Sequence, residues 1–98
     1  MFIVREIFYL QFGRFKDAKA LVDEATKTGL ITLPSGGRVL TDFTGEGYRF
    51  ILEMPYETLA AFETDLTKEM SATAWKDWYE KFKPLVRHSE REILKQIS

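Results

Sequence analysis

Strand-like and helix-like hydrophobic patterns follow one another along this 98-residue chain in one definite order. Residues 2–9 are mostly aromatic or aliphatic, which predicts a strand with apolar side chains on both faces. Over residues 14–28 the apolar residues recur at helical spacing, and Gly29 supplies a helix stop. Residues 38–44 and 47–54 then predict the two strands of a hairpin.

The hairpin turn is predicted at Gly45-Glu46, because glycine in the first position of a two-residue loop suits a type II′ turn. Such a turn pairs Phe43 with Tyr48, Asp42 with Arg49 and Thr41 with Phe50. One face of the hairpin then carries Val39, Thr41, Phe43, Tyr48, Phe50 and Leu52, and the other carries Leu40, Asp42, Arg49, Ile51 and Glu53. The preceding residues 34–37, Pro-Ser-Gly-Gly, predict a turn and not a phosphate-binding loop, since a strand follows them instead of a helix.

A second and longer helical pattern begins near Pro55, which fits the first turn of a helix. It is predicted to break near residues 70–73, with Ser71 or Thr73 capping the second segment. The apolar stripe comprises Leu59, Phe62, Leu66 and Met70 before the break and Trp75, Trp78, Tyr79 and Phe82 after it. Pro84 ends this helix, and residues 85–97 predict a last strand with an irregular, charged middle.

The resulting order, β-α-β-β-α-β, predicts an α+β ferredoxin-like plait with a four-stranded antiparallel sheet and a long, broken second helix. We see no internal repeat, low-complexity segment or linker, so we expect residues 1–98 to form a single domain.

The sheet of such a plait has a second face that the helices leave open. In the first strand, Ile3, Ile7 and Tyr9 alternate with Phe2, Val4 and Phe8, so neither face reads as polar. Because a large exposed apolar patch usually marks an interface, we expect two copies to pair sheet to sheet as a homodimer. Five charged residues are expected to pair near the edge of that interface: Arg5, Asp42, Arg49, Glu53 and Arg91.

Composition excludes several classes of function. The chain has no Cys, no Asn and a single His, which leaves no disulfide framework, no thiolate nucleophile and no His-rich metal site. Fourteen basic and fifteen acidic residues give a net charge of −1, which offers no basic footprint for nucleic acid or for an anionic membrane. No apolar run approaches the roughly 18 residues of a membrane span, and the first residues turn charged too early for a signal peptide. We therefore expect a cytoplasmic protein without a metal or cofactor.

Two stretches carry a family resemblance. Residues 75–86, Trp-Lys-Asp-Trp-Tyr-Glu-Lys-Phe-Lys-Pro-Leu-Val, precede Arg-Glu-Ile-Leu at 91–94, and the chain opens with Ile-Val-Arg-Glu-Ile-Phe-Tyr at 3–9. In these motifs and in its element order, the chain resembles the dimeric α/β-barrel superfamily, and within it the NIPSNAP-like proteins most closely. The resemblance implies a homodimer with a pocket between sheet and helices in each subunit. Relatives include cofactor-independent monooxygenases, heme-degrading enzymes, lactone isomerases and many members without a known reaction.

Glu6 and His88 are the candidate acid/base residues. Glu6 stands among apolar residues in a predicted inner strand; the alternative to a catalytic role is an ion pair with Arg5, Arg49 or Arg91. His88 is suited to proton transfer near neutral pH. The alternative to a catalytic role is that His88 is simply a partly exposed residue at the entry to a strand.

The candidate pocket is aromatic. Tyr48, Phe50, Trp75, Trp78 and Tyr79 are predicted to line a site for a flat apolar ligand, although a helical stripe of aromatic residues is also typical of plain core. Heme-degrading relatives use an Asn, a Trp and a His. This chain has Trp78 and His88 but no Asn, so the sequence does not favour heme degradation.

The resemblance favours a cofactor-independent oxygenase or isomerase acting on a small, partly aromatic molecule. A non-catalytic ligand-sensing or structural dimer is the alternative, since its pocket residues would look the same. An RNA-recognition module shares the element order, but no basic residue precedes Gly47, and Arg49 stands where its third-strand motif needs a small residue. We therefore expect no nucleic-acid partner.

Overall fold

The computed structural model describes residues 1–45 and 47–98. It contains four strands, β1 (Phe2–Leu10), β2 (Arg38–Thr41), β3 (Arg49–Tyr56) and β4 (Val86–Lys95), and three helices, α1 (Phe15–Lys27), α2 (Leu59–Met70) and α3 (Thr73–Phe82). The strands form one antiparallel sheet in the order β2-β3-β1-β4. The predicted ferredoxin-like plait, with its second helix broken into α2 and α3, is confirmed.

Strand register decides which side chains face the helices. Val4 lies opposite Met54 and Ile93, and Glu6 lies opposite Leu52 and Arg91. The even-numbered residues of β1 therefore face the helices, and the odd-numbered residues form the open face. On β2 and β3 the predicted pairing of Thr41 with Phe50 is confirmed.

The hairpin strands are shorter than predicted at the turn. β2 ends at Thr41 and β3 begins at Arg49, so residues 42–45, 47 and 48 lie outside the ladder. The predicted pairs of Asp42 with Arg49 and of Phe43 with Tyr48 are therefore wrong. Tyr48 has φ 56° and Gly47 has φ 77°, and backbone in this left-handed region cannot continue a strand. The predicted type II′ turn includes Glu46, which lies outside the described residues.

The prediction that Pro55 starts the second helix is wrong. Pro55 lies in β3 opposite Ile3, two residues beyond Glu53, where the pairing with β2 ends. A proline is tolerated there because it has a neighbouring strand on one side only. The helix begins instead at Leu59, where the Thr58 hydroxyl accepts a 3.1 Å hydrogen bond from the Ala61 N–H as the N-cap.

The break between α2 and α3 falls within the predicted residues 70–73, but the predicted cap is wrong. Ala72 occupies the N-cap position of α3, with φ −76° and ψ 135°, and provides no side-chain hydrogen bond. Ser71 is instead the C-cap of α2, where its hydroxyl donates to the Lys68 carbonyl. After α3, a single 3-10 turn over Lys83–Leu85 buries Leu85, so the last strand begins one residue later than predicted.

The core on the helix side of the sheet is divided into two clusters. The first joins α1, α3 and the adjoining sheet through Leu10, Ala18, Val22, Ala25, Ile31, Phe50, Trp78, Phe82 and Leu85. The second joins α2 to the other end of the sheet through Val4, Leu52, Met54, Tyr56 and Phe62. Residues of both clusters border the cavity described below.

The open face combines apolar and charged residues. Ile7 and Ile51 at its centre are only 3% and 4% exposed. Around them, Arg5 forms ion pairs with Glu53 and Glu92, at 3.5 and 3.4 Å, and Arg49 pairs with Asp42 at 2.9 Å. Arg91, predicted on this face, lies on the helix side, because it is directly opposite Glu6.

Candidate functional site

A cavity of about 390 Å³ lies between the sheet and helices α2 and α3. Its walls are mainly apolar, with aromatic rings from the sheet and from both helices. The main apolar contributors are Phe8, Phe50, Leu52, Met54, Phe62, Leu66, Met70, Trp75, Trp78 and Phe82. Polar groups enter this wall at few places: the Glu6–Arg91 pair and Ser89 on the sheet, Tyr56 at the end of β3, Asp65 and Glu69 on α2, and Tyr79 on α3.

Two stacked ring pairs form the α3 wall of the cavity. The rings of Trp75 and Tyr79 lie 4.8 Å apart at 12°, and those of Trp78 and Phe82 lie 4.8 Å apart at 15°. Both pairs are spaced four residues apart, so the helix itself aligns them. The Trp78 indole N–H donates a 2.7 Å hydrogen bond to the Leu21 carbonyl, which satisfies its polar atom and fixes α3 to α1.

On the sheet side, Glu6 and Arg91 form an ion pair across β1 and β4. The Arg91 Nε–H donates to Glu6 Oε1, and the Arg91 guanidinium lies 5.2 Å from the centre of the Phe62 ring. Among the three partners expected from the sequence, register selects Arg91. Arg5 and Arg49 lie on the open face, where they cannot reach Glu6.

Asp65 and Glu69 stand one helical turn apart on α2, facing the cavity. The Tyr56 hydroxyl donates a 3.0 Å hydrogen bond to Asp65, and the Thr32 N–H donates a 3.3 Å hydrogen bond to Glu69. Burial raises the pKa of the Tyr56 hydroxyl, and its bond to Asp65 raises it further. Burial also raises the pKa of Glu69; the Thr32 N–H acts in the opposite direction, and the charge of Asp65 adds to the increase.

These two carboxyl groups and Tyr56 were missed by the sequence analysis. A signal for the carboxyl groups was present, because Asp65 follows Phe62 by three residues and Glu69 follows Leu66 by three. Residues spaced in this way share a helix face, so an acid at each position borders the apolar stripe. Tyr56 had no such signal while Pro55 was assigned to a helix.

Five of the residues singled out from the sequence meet at the cavity: Glu6, Phe50, Trp75, Trp78 and Tyr79. Tyr48, also predicted to line the pocket, does not border it. Its side chain is 40% exposed, and its ring lies 5.2 Å from that of Phe12. The strand alternation that assigned Tyr48 to the helix side does not reach it, because β3 begins at Arg49.

His88 lies away from the cavity. It is opposite Tyr9 in the β1–β4 register, on the open face, with its ring 5.3 Å from the Tyr9 ring and Nε2 3.1 Å from Glu90 Oε1. Glu6 and His88, the two acid/base candidates, are therefore on opposite faces of the sheet within one chain. In residues 1–45 and 47–98, no three His, Cys, Asp or Glu side chains are grouped to hold a metal ion, and no helix is long and apolar enough to cross a membrane.

The fold matches solved structures of NIPSNAP domain proteins. One from Burkholderia xenovorans gives a TM-score of 0.84 over 100% of this chain and 96% of that chain, at 14% sequence identity. A NIPSNAP family protein from Agrobacterium tumefaciens gives 0.83 over 98% and 85%, at 18% identity. An antibiotic biosynthesis monooxygenase gives 0.72 over the full length of both chains, at 10% identity. The NIPSNAP-like fold suggested by the sequence is thus confirmed.

No protein-family model matches the sequence, and no curated protein matches it either.

Proposed function

We propose that this protein is a homodimer that binds a small, partly aromatic molecule in the cavity between its sheet and helices α2 and α3. The observation that carries the proposal is the cavity itself. Its volume of about 390 Å³ falls in the range of roughly 300–1,000 Å³ typical of small-molecule sites. Such sites have mainly apolar walls with a few polar groups that orient the ligand, and this cavity has the same composition.

The homodimer is supported by the charge order across the open face. Arg38, Glu53, Arg5 and Glu92 lie side by side on β2, β3, β1 and β4, so the signs alternate from one sheet edge to the other. If a two-fold axis runs parallel to the strands, β2 of one copy faces β4 of its partner. Each charge in the row then meets one of opposite sign, which is the complementarity that an isologous interface requires.

The proposed chemistry inside the cavity is proton transfer. Glu6 would remove a proton from a carbon next to a carbonyl group, and Arg91 would stabilise the negative charge that develops on the ligand. Where a C=C bond adjoins that carbon, return of the proton to the far end of the conjugated system shifts the double bond and completes an isomerisation without any change in oxidation state. Alternatively, the carbanion reacts with O₂: a CH₂ group becomes a carbonyl, and the second oxygen atom leaves as water. The monooxygenase of the same fold supports this chemical class.

Met70 at the end of α2 offers a way to test the cavity, since it borders the cavity and is 47% exposed. We expect the Met70→Trp variant to fill the cavity and to weaken small aromatic ligands at least tenfold in calorimetric titration. Lys68→Trp is the matched control, because Lys68 is exposed on the same helix and does not border the cavity. Equal binding by both variants would contradict the proposed site.

The same ligands, recovered after incubation with the protein and O₂, separate an enzyme from a sensor. A changed NMR spectrum of the ligand supports the oxygenase or isomerase. Saturable binding with the ligand returned unchanged supports the non-catalytic alternative.

A further inference from the structure

We propose that the ligand is a cation: a small apolar molecule that carries a protonated amine. This inference depends on the proposed function, since it takes the cavity between sheet and helices as a ligand site. It adds the chemical class of the ligand, which follows from the balance of charge on the cavity wall.

Acidic groups outnumber basic ones on that wall. Three carboxyl groups, those of Glu6, Asp65 and Glu69, border the cavity together with one guanidinium, that of Arg91. Arg91 is already paired with Glu6, so Asp65 and Glu69 are left in excess. Within residues 1–45 and 47–98, no Lys, Arg or His forms an ion pair with either of them.

The two carboxyl groups retain acceptor capacity for a ligand. Asp65 accepts a hydrogen bond from the Tyr56 hydroxyl, and Glu69 accepts one from the Thr32 N–H. A carboxylate can accept about four hydrogen bonds, and an ammonium group brings three donors, so the two are complementary in number as well as in charge. Because the site is partly desolvated, the attraction is stronger than it would be in open water.

The aromatic wall also favours a positive charge. The faces of Trp, Tyr and Phe rings attract cations, and the stacked pair Trp75–Tyr79 borders the cavity. The protein uses the same interaction in this cavity, where the Arg91 guanidinium lies 5.2 Å from the centre of the Phe62 ring. Rings and carboxyl groups are independent features of the wall, and both select the same sign of charge.

An anionic ligand meets the opposite conditions. To reach Arg91 it must displace Glu6, and it would then lie in a cavity that also contains Asp65 and Glu69. Because like charges repel inside a partly desolvated cavity, a ligand that carries a carboxylate should bind more weakly than a neutral ligand of the same size.

Three probes of nearly equal shape test the inference: 2-phenylethylamine, 2-phenylethanol and phenylacetate, each titrated calorimetrically at pH 7. We expect the amine to bind at least about tenfold more tightly than the alcohol, and phenylacetate to bind most weakly. Raising the salt concentration should weaken the amine and leave the alcohol unchanged, because the ionic attraction is screened.

Asp65→Asn combined with Glu69→Gln removes both charges and keeps an oxygen acceptor for Tyr56 and for Thr32. This double variant should bind the amine no more tightly than the alcohol. Glu63→Gln, at an exposed position of α2 outside the cavity, should keep the full preference.

The outcomes distinguish the two proposals. If the alcohol or phenylacetate binds as tightly as the amine, the inferred cation is wrong and the cavity remains a ligand site. If none of the three probes binds, both the cation and the proposed function are contradicted.

Discussion

The surroundings of Glu69 disfavour the charged form of its carboxyl group. Its carboxyl group is partly buried beside the cavity, and Asp65 lies one helical turn away on the same face of α2. Burial and this neighbouring charge together raise its pKa above the ordinary value of 4.5. A raised pKa in the folded state means that the contribution of Glu69 to stability is present below pH 4.5 and is lost as the pH rises through the folded pKa.

Glu69→Gln should therefore stabilise the protein near neutral pH. Glutamine keeps the oxygen that accepts the Thr32 N–H and removes the charge. We expect the free energy of unfolding at pH 7 to rise by roughly 0.5 kcal/mol, a small value because the group is partly exposed and screened by solvent. Urea denaturation measures this difference, which should disappear below pH 4.5, where the glutamate is protonated in both states. A difference of the same size at pH 7 and pH 3.5 would contradict the electrostatic explanation.

At the scale of elements, the start of α3 lacks a side-chain cap. Four N–H groups at the start of a helix lack intrahelical acceptors, and a Ser, Thr, Asp or Asn side chain at the N-cap usually accepts one of them. In α2 the Thr58 hydroxyl is this N-cap acceptor, whereas the N-cap residue of α3, Ala72, offers no side-chain acceptor. The backbone at Ala72 already has the extended conformation of an N-cap residue.

Ala72→Ser should supply the missing acceptor without moving the chain. We expect the free energy of unfolding to rise by about 0.5 to 1 kcal/mol. Ala74→Ser is a matched control, since Ala74 is also exposed but already lies inside α3, where serine is a weaker helix former than alanine. Chemical denaturation of the two variants measures the contrast. An equal change in both would show that the cap position has no special effect.

The helices and strands could largely be predicted from the sequence, because the spacing of apolar residues along the chain is a local property. The boundaries were less predictable, and the one at Pro55 depends on a tertiary neighbour: a proline can lie in β3 at this point because β2 has already ended there. The same distinction applies to the candidate site. The α3 rings were predictable from their spacing, whereas Tyr48 was misplaced by assuming that strand alternation continued into a turn with positive φ. The Glu6–Arg91 pair required the β1–β4 register, which joins residues 85 positions apart in sequence.

On the scale of the whole molecule, the two faces of the sheet have separate proposed roles. The helix side contains the cavity, and the open face is proposed to pair with a second copy. β4 carries a matched pair of residues for testing this division, because Ile93 and Leu94 are adjacent and each is 45% exposed. By register, Ile93 lies on the helix side, opposite Val4, and Leu94 lies on the open face, opposite Ile3.

If the proposed dimer forms, Leu94→Asp should convert it into a monomer, because the substitution places a charge inside the proposed interface. Ile93→Asp introduces the same charge at the same exposure on the other face, and it should leave the dimer intact. Light scattering over a dilution series gives the mass, which is expected near twice the 11.4 kDa subunit for the unmodified chain. A monomeric unmodified chain, or dimers in both variants, would contradict sheet-to-sheet pairing.

Both tryptophans of the chain, Trp75 and Trp78, border the same cavity. All of the indole emission of this protein therefore originates at one place, and each indole is stacked on a second ring of α3. A molecule entering the cavity changes the polarity around both fluorophores at once, whereas an event on the open face leaves them in their original surroundings. The unlabelled protein thus contains an optical reporter of cavity occupancy, suited to screening compound libraries at low protein concentration.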